Sequence, residues 1–180
     1  RGAIGSIVVV GELATTANLG DLGSSAVVST VSVSPLVGIQ AAAGGATVTH
    51  IVGPTFSPGD QGAIAAAGVV VIVAGLDARD EGEGLITTGD REGLVLPRNQ
   101  DQLIADVAAL NARTVVVLEG SGGVAMPWVD DVEAILMAWY PGAQGGTAIA
   151  DVLFGDVNPS GKLPVVFARS EADLPPFDNV

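Results

Sequence analysis

Residues 69–74 read VVVIVA, and five of the six are β-branched. No polar side chain interrupts the run, so it has no face suited to water. That pattern predicts a strand apolar on both sides, as in a parallel sheet covered by helices above and below. Ser6–Val10 (SIVVV) and Thr114–Leu118 (TVVVL) read the same way. Thr47–Val52 is partly alternating, Ala134–Trp139 (AILMAW) gives a fifth strand, and Leu163–Ala168 (LPVVFA) a sixth. Pro164 has no N–H to donate, which puts that sixth strand at a sheet edge.

Helical patterns separate these runs. Asn99 is expected to cap a helix whose third residue is Gln102, with Leu103, Val107 and Leu110 on one face. GAQGGTAIADVLFG predicts a second helix, with Ile149, Val152 and Leu153 inward and Gly155 as its stop. Gln61–Ala67 is a shorter Ala-rich candidate. Strands alternating with helices predict an α/β three-layer sandwich: one six-stranded, mostly parallel sheet with helices on both faces. The length of 180 residues suits a single domain spanning 1–180.

Composition removes several function classes. Seven basic residues face twenty acidic ones, a formal charge of -13, and Lys162 is the single lysine. Nucleic acid is bound through clustered Lys and Arg, and no such cluster exists. The same charge disfavours an anionic membrane surface, and no apolar run is long enough to span a bilayer. There is no cysteine. His50 is the only histidine, so a His-based metal site or a Ser–His–Asp triad would rest on it alone. Its strand-like setting favours a structural or surface role. The chain starts at Arg1 with no signal peptide before it, which suggests a piece of a longer polypeptide. The compartment stays open, with a secreted or periplasmic location among the options for a soluble protein.

In open α/β sheets, ligands meet the loops at the carboxyl ends of the strands. Here those loops are rich in Gly and polar residues: GELATTANLGDLGSS, GLDARDEGEGLITTGDR, EGSGGVAMPW and YPGAQGG. They carry no phosphate-binding fingerprint, and Glu12, Asp21, Asp77, Asp80, Glu81, Glu83 and Asp90 would repel phosphates. That argues against a flavodoxin-like cofactor binder, and no cofactor or metal is implied. A neutral sugar suits such loops better, since carboxylates accept hydrogen bonds from hydroxyls. Glycoside hydrolysis needs two carboxyl groups flanking the bond. On composition alone, the alternative of ordinary solvated acids remains open.

One long stretch goes further. AILMAWYPGAQGGTAIADVLFGDVNPSGKLPVVF, residues 134–167, resembles the A-W-Y-P-G-x-x-G-G-x-A-I-A-D-V-L-F-G-x-x-N-P-S-G-K-L-P signature of glycoside hydrolase family 3. VVVLEGSGGVAMPWVDDVEAIL, NLGDLGSS and GDREGLVLP resemble further elements of the same family. The chain is thereby similar to the C-terminal (α/β)6-sandwich domain of these β-glucosidases and β-xylosidases, over nearly its whole length.

The resemblance implies a retaining exo-glycosidase in which a (β/α)8 barrel carries the aspartate nucleophile. That barrel would belong to the same precursor or to a partner chain, and the substrate would be a β-glycoside, most simply a β-glucoside. The sandwich domain would supply the acid/base glutamate from the loop before D-R. Glu83, in Gly82–Glu83–Gly84, matches that position, and Glu81 is the second candidate. LITT between the E-G pair and Gly89–Asp90–Arg91 is longer than in many relatives. Asp90 and Arg91 are expected to brace the loop by an ion pair. Trp139 and Tyr140 are expected in the core or at a domain interface, and Met126 or Trp128 in an exposed apolar patch facing the barrel. The competing reading is a non-catalytic domain that binds sugar or stabilises a partner.

Overall fold

In a computed structural model of the chain, residues 4–20, 23, 27–81 and 91–176 are described. Their strands are β1 (Ser6–Val10), β2 (Thr47–Ile51), β3 (Val69–Gly75), β4 (Thr114–Glu119) and β5 (Ala134–Trp139). They form one sheet in the order β2-β1-β3-β4-β5, and every pairing is parallel.

Side chains alternate across the sheet and feed two cores. Val8, Val10, Val70, Ile72, Val116 and Leu118 point to one face. There they meet α2 (Pro58–Ala66) through Ile64 and α4 (Gln100–Leu110) through Leu103, Ile104 and Val107. Ile7, Val9, Val71, Val73 and Val117 point the other way, with Ile39 of α1 (Pro35–Ala42) and Ile149 of α5 (Gly145–Phe154). A strand buried on both faces must be apolar at successive positions, which is why VVVIVA looks as it does. Burying each Val or Ile contributes roughly 1.5–3 kcal/mol, so the central strands dominate the stability.

Three expectations are corrected. The sheet of the described residues has five strands, not six. Leu163–Ala168 is not a strand, and Leu163, Val165 and Val166 are exposed. Pro164 supplies no donor, and the segment is tied elsewhere, its Ala168 carbonyl accepting from Met126 N at 2.8 Å. Asn99 does not cap α4 with its side chain; it sits at φ 58 in the left-handed region. Gln100 takes the end of β3 instead. Its carboxamide accepts from Gly75 N and donates to Gly75 O, each at 2.8 Å. Trp128 is not an exposed docking residue. It is 2% exposed in the core, and its indole N–H donates to Asp101 at 2.7 Å. Exposed apolar side chains on loops that leave strand carboxyl ends are Val27, Val28, Val31, Val52 and Val95 instead.

The glycines of YPGAQGG have a packing role. A Cβ on Gly146 would lie 2.0 Å from Ser34 O, and one on Gly38 would lie 1.9 Å from Gly146 O. Helices α1 and α5 therefore touch backbone to backbone. Gly38→Ala is expected to force them apart and destabilise the fold by about 1–3 kcal/mol. Urea unfolding checks this, and an unchanged midpoint would mean the two helices separate freely.

Candidate functional site

Strand order reverses between β1 and β3, the place where doubly wound sheets take ligands. Here charged side chains close it. Arg79 pairs with Glu12 at 3.1 Å and with Asp77 at 2.6 Å, and Arg98 pairs with Asp80 at 2.6 Å. Burial works against a charged Asp77, but Arg79 and Arg98 outweigh it and hold its carboxyl below the usual range. The remaining hollow, between Gly11, Val73, Arg98 and Gln100, is about 80 Å³. A phosphate there would meet three carboxylates.

The open space lies beside the loops that follow β3, β4 and β5. A cleft of about 920 Å³ is lined by Glu81, Arg91, Leu94, Ser121, Glu171 and Pro175, among others. Glu81, which ends the short helix α3 (Ala78–Glu81), is one of the lining residues. Its Oε1 lies 2.8 Å from Arg91 Nε. Its Oε2 accepts from Tyr140 Oη at 2.6 Å and from Ser121 N at 3.0 Å. The Glu81 side chain is 8% exposed and that of Arg91 18%. Exposed ion pairs contribute roughly 0–1 kcal/mol. This one matters more, because losing either partner leaves a charge mostly out of water. Arg91 is held in turn by Gly123 O, 3.2 Å from its Nη2.

A second acid lies deeper. Glu119 closes β4 and is 1% exposed, and among the described residues neither carboxyl oxygen has a hydrogen bond of ordinary geometry. Burial pushes its carboxyl up to about 8. Asn18 is close enough to oppose that shift, and the Asp77 carboxylate adds to it. The Asn18 amide also donates to Leu76 O at 2.9 Å. Asn18 also accepts from Gly142 N at 3.1 Å, tying the loop after β1 to the loop after β5.

Glu83 and Asp90 lie outside the described residues, as do Gly82, Gly84 and Gly89. Of the two candidate acids, Glu81 is described, and it is gathered with Arg91, Ser121 and Tyr140. The ion pair expected of Asp90 and Arg91 falls on a residue outside the described ones; the described partner of Arg91 is Glu81. Trp139 is half-buried at φ 57, edge-on to Phe167 at 6.4 Å between ring centres. His50 makes a structural contact, Nε2 lying 3.0 Å from Gly11 O. Among the described residues, no group of three or more His, Asp or Glu side chains is arranged to hold a metal, and no helix is long and apolar enough to cross a membrane. Sequence reasoning missed Asn18, Gln100 and Glu119. For Glu119 a signal existed: an acid directly ends an apolar run, TVVVLE.

The sequence profile of the glycosyl hydrolase family 3 C-terminal domain matches residues 2–180. The chain belongs to this family. It is 44% identical over 113 residues to a protein named probable beta-glucosidase J of Aspergillus fumigatus, covering 63% of this chain and 13% of that one. The beta-D-glucoside glucohydrolase of Trichoderma reesei superposes with a TM-score of 0.86 at 29% identity, over 99% of this chain and 28% of that one. A GH3 beta-glucosidase of Bifidobacterium adolescentis gives a TM-score of 0.75 at 37% identity, over 89% and 24%. The family 3 domain described here therefore spans about an eighth of that curated relative and about a quarter of the solved chains.

Proposed function

We propose that this domain works within a larger retaining β-glucosidase, where it supplies the acid/base glutamate and one wall of the sugar pocket. The nucleophile comes from a (β/α)8 barrel in the same polypeptide or in a partner. Glu83 is the acid/base. It protonates the leaving glycosidic oxygen, then takes a proton from the water that releases the glucosyl-enzyme. Asp90 accompanies Arg91 in the same loop.

One observation carries this reading. Three loops from adjacent strands converge on Glu81 and Arg91, the residues on either side of the stretch that holds Glu83, beside an open cleft. Glu81 already accepts from three donors, so both its oxygens are engaged. That favours Glu83 for the proton transfer.

The reading predicts that the 180-residue chain, alone, hydrolyses no aryl β-glucoside at an enzymatic rate. Retention requires two carboxyl groups about 5–5.5 Å apart, and one of them is assigned to the barrel. Release of nitrophenol should be followed with the purified chain and with the full-length polypeptide. Turnover by the chain alone, free of contaminating enzyme, contradicts the reading. A full-length polypeptide that binds glucosides without cleaving them favours the sugar-binding alternative.

A further inference from the structure

We propose that the face of β5 carries a binding site for a small aromatic carboxylate, apart from the glycosidase cleft. β5 is an edge strand of the sheet. Helix α4 packs over β3 and β4, while β5 is met by the irregular segment that follows α5. A cavity of about 440 Å³ lies between strand and segment. β5 lines it with Ile135, Met137 and Trp139, each half-buried, and the segment lines it with Lys162, Leu163 and Phe167. None of these residues lines the cleft beside Glu81. A concave, mostly apolar cavity with few polar groups is the usual setting for a small ligand.

The lining sets the body of the ligand and the rim sets its charge. Trp139 and Phe167 meet edge to face at 65°, with ring centres 6.4 Å apart. Such a pair, with a methionine beside it, suits a third ring, because aromatic edges and a thioether sulfur both attract π-systems. Lys162, exposed at the rim, is the single lysine of the chain. Twenty acidic residues are available to it, yet among the described residues it has no ion pair and no hydrogen bond. The described arginines are engaged: Arg79, Arg91, Arg98 and Arg169 with carboxylates, and Arg113 with the Ala67 carbonyl. A lysine stem can lie along apolar surface and keep its ammonium at the water's edge. There it meets a carboxylate whose ring occupies the cavity. The formal charge of -13 disfavours anions over the surface at large, so a free cation beside an apolar cavity makes this rim selective for one.

The test is a ligand-detected NMR titration of the full-length polypeptide, with cinnamate as the probe and cinnamamide as its neutral counterpart. Cinnamate should bind with a Kd of about 0.1–1 mM, as its size allows. It should bind about 3–10-fold tighter than cinnamamide, and added salt should narrow that gap. Lys162→Gln should bring the two ligands level. Leu163→Glu sets a carboxylate beside the lysine and should weaken cinnamate by about 10-fold. Both positions are exposed, which keeps folding out of the result. Binding is read without glucoside turnover, so the outcome is independent of the assignment of Glu83. Equal affinity for cinnamate and cinnamamide overturns the proposal, as does a cinnamate affinity that both variants leave unchanged. Absence of binding overturns it too, and means that the rest of the polypeptide or a second copy fills the cavity.

Discussion

Glu83→Gln, made in the full-length polypeptide, is expected to slow hydrolysis of an alkyl β-glucoside by about 10²–10⁴-fold, the usual worth of general acid–base help. An alkoxide is a poor leaving group and needs its proton as the bond breaks. A very acidic phenol leaves without one, so its first step should slow far less. The glucosyl-enzyme would then accumulate, because the same residue activates water in the second step. Azide attacks without needing a base. It should therefore restore turnover of the activated aryl glucoside and yield glucosyl azide. This combination separates an acid/base from a solvated carboxylate, which would show none of it. Unchanged alkyl-glucoside turnover in Glu83→Gln would sink the assignment, and loss in Glu81→Gln with a flattened pH profile would move it by two residues.

Glu119→Gln is expected to change how the fold responds to pH. Burial raises the Glu119 carboxyl from the ordinary 4.5 to about 8 in the folded state. The sign follows from linkage. The stability associated with this group is fully present below about 4.5, where it is protonated in both states. It is lost as pH rises toward about 8, because the unfolded chain ionises first and gains what the folded chain cannot. The span corresponds to about 3–5 kcal/mol. Gln keeps the shape and never ionises, so the difference in unfolding free energy between variant and native chain should grow by that amount from pH 4 to pH 8.5. The amide's own burial adds a constant to that difference and leaves its slope alone. Urea denaturation at several pH values measures the slope. A flat difference would mean that Glu119 reaches water or a donor in the folded protein. Glu119 ends β4, which lies between β3 and β5 in the sheet, and the nearby Asp77 carboxylate adds to the cost of ionising it.

The sandwich was legible because its rule is local and repeated. A parallel strand covered on both faces must be apolar at every position, and VVVIVA, SIVVV and TVVVL obey that rule without reference to the rest of the chain. The YPGAQGG stretch and the LFGDVNPSGKLP that follows were legible as a family signature. The structure adds why two of those glycines stand there: Gly146 and Gly145 meet Ser34 O and Pro141 at distances that exclude a side chain. Leu163–Ala168 shows where local pattern fails. Its composition is that of a strand, yet strand formation needs a partner edge and a face to bury. The chain there is drawn to Met126 instead.

The site divides in the same way. Sequence alone named Glu81 and Glu83 as the acids worth testing and placed them in the loop after the central strand. It had no means of choosing how Glu81 is engaged, because Ser121 and Tyr140 lie 40 and 59 residues away in the chain. Those contacts exist only once β3, β4 and β5 lie side by side and bring their carboxyl ends together. Glu119 was missed for the same reason. The acid ending TVVVLE is a signal that a solvated loop shares, and only the burial of Glu119 in the fold shows that water is excluded. Identity and spacing fix which residues reach the carboxyl end of the sheet. Which of them is buried, paired or left holding a proton is a property of the three-dimensional neighbourhood, because desolvation and hydrogen bonding depend on distance in space and not along the chain.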